Sequence, residues 1–543
     1  MSAAPSASAA RRSVSRVAAS SGYSWGVLLL LLSCGPDPDP APVDTSDTEE
    51  TAPILLSGAD LLIRLSLDLR GVRPSLAELA AAEDDPDTVE TLIDEMLSDP
   101  RFYARMGWLW NDTLHTGVWS GSVDRFEQYD AGWDYDDWRS VGLEPVKMVE
   151  LILAEDLPLS ALVTHDSLPA NDTLAVLWES SASGSEWSWG HYTDGRPMAG
   201  LLSSKTLWMR YNADATNYNR QRANAVASIF LCADFFDRAG SFAFTLDGEL
   251  TDIESAVATV PACTTCHAAL DPLAAFFGGF SEQSVNLPAE QFLAYSPLMA
   301  DWYAIQTAPA YFGHPGRDVI DLGAMIAVDP RFSSCMAERF YEGLVGSALP
   351  LGGERDALVD TLNDAGLRGV PLIEAVVTSD AYRAAGPKVL STDQLYTALT
   401  DLTGWQPQAT NELEGLDALQ WSAEHRVMGG GTDDVEVLYR SGGISLSGVV
   451  LMEWVGRQST LAIDADLAKP SGVLFPDGLP ADDAAAEALI ATWVGRFLSR
   501  PDDEDITTGL HALWQDAGGL AGGSASWAVV LQAVIRHPAG LVY

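Results

Sequence analysis

Apolar residues recur at helical spacing through most of the chain. Leu61, Leu62, Leu65 and Leu69 form one stripe, and Leu92, Ile93, Met96 and Leu97 form another. This is the pattern of a helix with one face turned to a core. Each stripe runs into helix-ending chemistry, Arg70-Gly71-Val72-Arg73-Pro74 after the first and Ser98-Asp99-Pro100 after the second. Glycine accepts the left-handed conformation that closes a helix, and proline cannot extend one. Strict alternation, the mark of a half-buried strand, is scarce; its best example is residues 435–438. Residues 118–195, rich in Trp, Asp, Ser and Gly, are the least regular part. The pattern predicts a mainly α protein of several multi-helical modules, interrupted by irregular Trp- and Gly-rich loops.

Some of the pattern repeats. Asp68-Leu69-Arg70-Gly71 ends one stripe, and Asp401-Leu402-Thr403-Gly404 ends another that contains Leu395 and Leu399. Residues 337–382 and 492–543 run in parallel over a longer stretch. Each opens on an aromatic-bearing amphipathic helix, around Phe340-Tyr341 and Trp493-Phe497. Each continues through a second helix ending Leu362-Asn363-Asp364-Ala365-Gly366 or Leu513-Trp514-Gln515-Asp516-Ala517-Gly518, then an apolar run at 372–377 or 529–535. A duplicated helical unit is expected.

The N-terminus departs from this pattern. Arg11, Arg12 and Arg16 precede the short apolar run Trp25-Gly26-Val27-Leu28-Leu29-Leu30-Leu31-Leu32. That run is too short to cross a bilayer, which takes about 20 residues, so it predicts a signal peptide. Leu31-Leu32-Ser33-Cys34 resembles the bacterial lipobox, which predicts cleavage before Cys34 and lipid on that cysteine; acyl chains anchor a protein without a transmembrane helix. The Pro-, Asp-, Thr- and Glu-rich stretch that follows lacks the apolar area to fold and reads as a tether. The expected division is a signal peptide at 1–33, a tether at 34–53, helical modules at 54–170 and 171–285, and the two repeat-bearing modules at 286–390 and 391–543.

Net charge is −45, and loss of the three signal arginines would take it to −48. The only lysines are Lys147, Lys205, Lys388 and Lys469. Such a field repels phosphate backbones, so nucleic-acid binding is not expected. It suits a salty exterior or a basic partner protein.

Of the five cysteines, two stand in Cys263-Thr264-Thr265-Cys266-His267. This is the attachment spacing for c-type haem: two thiols one helical turn apart reach the two vinyl groups of a porphyrin, and the following imidazole supplies an axial ligand. A Cys263–Cys266 disulfide and a metal site are the alternatives. Zinc needs four good ligands, and no second Cys/His pair stands nearby. Pro272 predicts that any helix after His267 lasts about one turn. For the sixth iron ligand the candidates are Met299, His314, Met325 and Met336. Met299, in the loop-like Ser296-Pro297-Leu298-Met299, is preferred, because methionines in apolar stripes are more often core. Cys232 and Cys335 are left over. In an oxidising compartment they either pair or stay as separate buried thiols.

The segment from Pro261 to Leu273, with Cys263-Thr264-Thr265-Cys266-His267-Ala268-Ala269-Leu270-Asp271-Pro272 at its centre, resembles the CxxCH-xx-aliphatic-D-P segment of exported bacterial proteins with planctomycete-type cytochrome c modules. Leu65-Ser66-Leu67-Asp68-Leu69-Arg70-Gly71-Val72-Arg73-Pro74-Ser75 is similar to their "LDLTGLPPT" opening, and Leu97-Ser98-Asp99-Pro100-Arg101-Phe102 to the helix junction after it. Ala199-Gly200-Leu201-Leu202, Arg222-Ala223-Asn224-Ala225 and Leu231-Cys232 resemble the segment upstream of the CxxCH. Asp329-Pro330-Arg331-Phe332-Ser333-Ser334-Cys335 resembles the start of their C-terminal helical module. Where that family usually carries G-F-x-x-E-x-[FY], this chain has the wholly non-acidic Ala274-Ala275-Phe276-Phe277-Gly278-Gly279-Phe280. The resemblance implies a haem lipoprotein of the envelope and names no substrate.

The expectation is therefore a membrane-anchored monohaem c protein of the bacterial envelope, in electron transfer or redox chemistry. Its counterpart is a non-haem structural or polymer- or protein-binding surface lipoprotein with Cys263–Cys266 as a disulfide. No G-x-S-x-G, P-loop, H-E-x-x-H or G-x-G-x-x-G signature points to a particular enzyme. Gly429-Gly430-Gly431-Thr432-Asp433-Asp434 reads as a surface turn. Trp178, Trp187 and Trp189, among seventeen tryptophans, are assigned to packing before sugar stacking.

Overall fold

The computed structural model describes residues 55–117, 135–211, 218–235, 260–280, 294–297, 307–384, 386–404, 444 and 446–543. Cys34, Met299, residues 429–434 and the alternating run at 435–438 lie outside these. The described part is mainly helical. Its only ladders are two short antiparallel pairs, β1 (Leu168–Ala170) with β2 (Ser188–Gly190) and β3 (Ala310–Tyr311) with β4 (His314–Pro315).

The first apolar stripe is α1 (Gly58–Leu69), and Gly71 behind it takes φ +70°. A capping box of Ser75 and Glu78 starts α2 (Leu76–Asp84), satisfying two of the orphan amides at its end. The second stripe is α3 (Thr88–Leu97), and two residues later α4 (Pro100–Leu114) begins. Its start uses every residue of the junction. The Asp99 carboxylate accepts from the Arg101 amide at 2.9 Å and pairs with the Arg101 side chain, while Pro100 fills the first position, where no amide is needed. The same device recurs at Asp329-Pro330-Arg331, which opens the helix Pro330–Val345 with the same 2.9 Å cap.

Within the stretch 118–195, the described residues 135–195 are more regular than their composition suggests. They contain the longest described helix, α5 (Tyr135–Ala154), which carries Pro145 inside it and packs along α4. Tertiary packing outweighs the local polarity and the proline there. Next come α6 (Lys205–Arg210), α7 (Arg220–Leu231) and α8 (Pro261–Ala274). They are followed by α9 (Val319–Ala327), α10 (Pro330–Val345), α11 (Gly353–Asp364) and α12 (Gly369–Val377). The last long helices are α13 (Thr392–Thr403), α14 (Leu446–Ser459), α15 (Leu461–Leu467), α16 (Asp483–Leu498), α17 (Glu504–Asp516) and α18 (Ser524–Ile535). Gly404, which ends the second Asp-Leu-x-Gly stripe, takes φ +61° as α13 closes, the left-handed stop that Gly71 also makes after α1.

Within each of the two repeated stretches the helices pack in the same pattern. Helices α10, α11 and α12 pack on one another pairwise, and so do α16, α17 and α18. Both second helices stop at an alanine, Ala365 or Ala517, followed by a glycine at positive φ, +66° at Gly366 and +114° at Gly518.

Two apolar cores result. One runs from Leu61 to Tyr382 and the other from Val389 to Leu541. Helix α1 serves both, with Leu61, Leu62, Leu65 and Leu69 in the first and Leu67 in the second. On the same helix, Asp68 is buried at 0% exposure. Its carboxylate accepts from Lys388 Nζ at 2.5 Å, Tyr382 OH at 3.0 Å and Tyr543 OH at 2.7 Å. Gln394 Nε2 ties the network to the Leu67 carbonyl at 2.9 Å. All three donors come from residues 382–543, Tyr382 from the first core and Tyr543 from against the second. Among the described residues no helix is long and apolar enough to cross a membrane.

Cys232 and Cys335 are joined as a disulfide, with their Cα atoms 5.2 Å apart. The pair ties the C-terminal cap of α7 to the second turn of α10. The alternative of two separate thiols is thereby set aside.

Candidate functional site

Helix α8 opens with Pro261 in its first turn and carries the CxxCH segment. At 3.6 residues per turn, Cys263, Cys266 and His267 stand at i, i+3 and i+4 and share one face. All three are partly buried, whereas Thr265 and Ala268 point outward. Cys266 and Ala269 rest against the first core, and Leu270, Leu273 and Ala274 are buried in it. Cys263 and Cys266 are both free thiols, in contrast to Cys232 and Cys335.

The helix runs to Ala274, past Pro272, so the expected stop after one turn does not occur. Pro272 removes one amide from the ladder, leaving the Ala268 carbonyl without its in-helix donor. Burial of Leu270, Leu273 and Ala274 holds the helix together regardless. Asp271, the last residue before Pro272, stands one turn beyond His267.

His267 Nδ1 lies 2.9 Å from Asp271 Oδ1. Asp271 is itself gripped by Arg220, Nε to Oδ1 at 2.7 Å and a terminal guanidinium nitrogen to Oδ2 at 3.1 Å. Arg220 is the first residue of α7, and α7 packs against α8. Partial burial pushes the Asp271 carboxyl up, but hydrogen bonds from His267 and Arg220 and the guanidinium charge outweigh it, so the net shift is down. An ionised carboxylate only accepts. The proton of the contact therefore belongs on His267 Nδ1, and a neutral ring then leaves Nε2 with a lone pair.

A resident haem c fits this arrangement. Two free thiols and an imidazole share a face, and the imidazole's second nitrogen is already held by a carboxylate, the outer-shell pairing that metal-ligating histidines make. Among the described residues no group of three or more His, Cys, Asp or Glu side chains is placed to hold a metal ion by itself, so the four-ligand zinc reading finds no ligand set there. Beyond α8, the non-acidic segment at 274–280 is an aromatic plug. Phe276, Phe277 and Phe280 are buried, and Phe277 meets Trp208 edge-on at 4.8 Å.

The candidate sixth ligands separate. Met336 is fully buried in the first core, and His314 is exposed on the β3–β4 hairpin. Met325 is partly buried in α9, and its methyl crowds Gly316 beside the Phe276 ring. Met299 lies outside the described residues.

The tryptophans behave as packing. Trp178 is buried, and Trp189 stacks on His165 at 4.1 Å and donates its indole N–H to Glu155 at 2.9 Å. Close to Trp178 is a polar cluster without a sequence signal. Buried Glu144 accepts from the hydroxyls of Tyr192 and Ser204, and burial raises its carboxyl. Lys205, 5.3 Å from the Trp178 and Tyr192 ring centres, is pushed down to about 8, mainly by burial.

Sequence reasoning placed Cys263, Cys266 and His267 but missed Asp271 and Arg220 as their support. The His267–Asp271 spacing of i, i+4 was a usable signal, whereas Arg220, far away in sequence, gave none. Among known proteins, residues 49–145 are similar to a family described as PSCyt2, a protein of unknown function (DUF1549). The matched stretch covers α1 to α4 and the start of α5 and ends before the CxxCH segment. No curated protein and no solved structure matches the chain.

Proposed function

We propose that this chain is an exported, lipid-anchored monohaem c protein of the bacterial envelope that works in electron transfer. The observation that carries the reading is the shared face of Cys263, Cys266 and His267, with His267 Nδ1 engaged by Asp271 and Nε2 left to donate. Haem, when bound, supplies a one-electron iron couple. The chain supplies the attachment and the surroundings. Cys263 and Cys266 would hold the haem by adding S–H across its two vinyl groups, an addition that consumes no oxidant. His267 Nε2 would hold the iron, and Met299 is the preferred second protein ligand. The strong negative charge favours a basic redox partner, and lipid on Cys34 holds the body at the membrane surface.

Two measurements test this. Protein exported by a cell with haem-attachment machinery should gain the mass of one haem, resistant to acid-acetone extraction, with a sharp Soret band that His267→Ala abolishes or greatly alters. Colourless protein carrying a Cys263–Cys266 disulfide would remove the redox reading and favour the non-haem binding lipoprotein. Separately, Cys34→Ala should move the protein out of the detergent phase on partitioning. Unchanged partitioning would count against the anchor.

A further inference from the structure

We propose that Asp271, locked in place by Arg220, is the positioning residue that fixes the His267 tautomer and sets the reduction potential of the haem low. The inference rests on the reading that Cys263 and Cys266 carry haem. The geometry on which it stands belongs to the chain alone.

A histidine on iron can give its second N–H to water, a backbone carbonyl or a carboxylate. The first two offer a dipole, the third a full negative charge, and charge-assisted hydrogen bonds are roughly twice as strong. Here the acceptor is a carboxylate at 2.9 Å. Such a bond draws the Nδ1 proton outward, raises electron density on Nε2 and makes the ring a more basic ligand. A more basic ligand favours the ferric over the ferrous ion, so the potential falls.

Arg220 gives the device its rigidity. Its fork holds both carboxylate oxygens, and the oxygen that meets His267 is also the one that accepts from Arg220 Nε at 2.7 Å. A carboxylate bound on both oxygens cannot swing to solvent. The two side chains are only 21% and 15% exposed, so water competes weakly. Two helices are therefore needed. The His267–Asp271 pair forms within α8, and its orientation is set from α7.

The test compares midpoint potentials of the haem-loaded full chain and two variants. Asp271→Asn should raise the ferrous-to-ferric ratio at a fixed ambient potential at least tenfold, an upward shift of 59 mV for a one-electron couple. Arg220→Gln, which frees the carboxylate to leave His267 part of the time, should move the midpoint the same way by a smaller amount. Nitrogen NMR of the histidines in the full chain made without haem gives a second readout, with the Nδ1–H tautomer expected at His267 in the wild type and lost in Asp271→Asn. An unchanged or lowered midpoint in Asp271→Asn, or a lowered one in Arg220→Gln, overturns the proposal while a coloured wild type leaves the haem reading standing. A colourless wild type sinks both. Should neither variant load haem, the tautomer decides: Nε2–H at His267 in the wild type overturns the proposal, and Nδ1–H supports it.

Discussion

Asp68→Asn should lower the free energy of unfolding by about 3–5 kcal/mol, the cost of leaving one partner of a buried ion pair uncompensated. Asp68 accepts on both oxygens, Tyr543 on one and Lys388 and Tyr382 on the other. An amide keeps one acceptor and presents an NH2 group to at least one of these donors, and it removes the charge that balances Lys388. The Asp68 and Lys388 side chains are 1% and 11% exposed, so water cannot make up the loss. Adding Lys388→Met to Asp68→Asn should recover part of the stability, because the stranded ammonium is then gone. Urea midpoints of the two single variants and the double variant measure this. A single-variant loss below about 1 kcal/mol, the range of exposed pairs, would refute it.

The same residue makes the stability depend on pH with a definite sign. Burial pushes the Asp68 carboxyl up, but the Lys388 charge and the hydrogen bonds from Lys388 and Tyr543 outweigh it, so its folded pKa lies below the ordinary 3.8. A depressed folded value means the contribution is present above about 3.8 and is lost as pH falls through the lower folded value. The stability gap between wild type and Asp68→Asn should therefore narrow below pH 4.

How much of this was legible in the sequence depends on how far apart the partners lie. The stripe at 61–69 and the one at 92–97 became α1 and α3 because their periodicity and stops are local. The CxxCH face was legible for the same reason. One local signal misled. Pro272 lies inside a helix, as Pro145 also does, since buried neighbours hold those helices where an isolated peptide would break. Asp68 read as one more polar residue beside a stripe. Its burial depends on Tyr382, Lys388 and Tyr543, between 314 and 475 residues away, and no periodicity encodes such partners. Arg220 was silent likewise, and with it the reason that His267 presents Nε2.

Cys232→Ala/Cys335→Ala should cost up to about 4.7 kcal/mol, the chain-entropy value for a loop of roughly 100 residues. The bridge closes a separation of 103 residues. The closed loop contains α8, β3, β4 and α9, so the whole CxxCH segment is tethered at both ends. Without the bridge the unfolded chain regains that loop's freedom. The packing of α7 on α8 and of α7 on α10 remains, so the native fold should persist at reduced stability. Thermal and urea unfolding of the double variant, beside the wild type with and without reductant, read the loss. A non-reducing peptide map of the wild type should show the two cysteines joined. Alkylation of both without prior reduction, or a double variant as stable as the wild type, would sink the prediction. The site should feel the change through α7: its C-terminal end loses the anchor, while its first residue, Arg220, must still reach across to Asp271. The double variant should therefore hold the His267–Asp271–Arg220 chain less firmly even at temperatures where it stays folded.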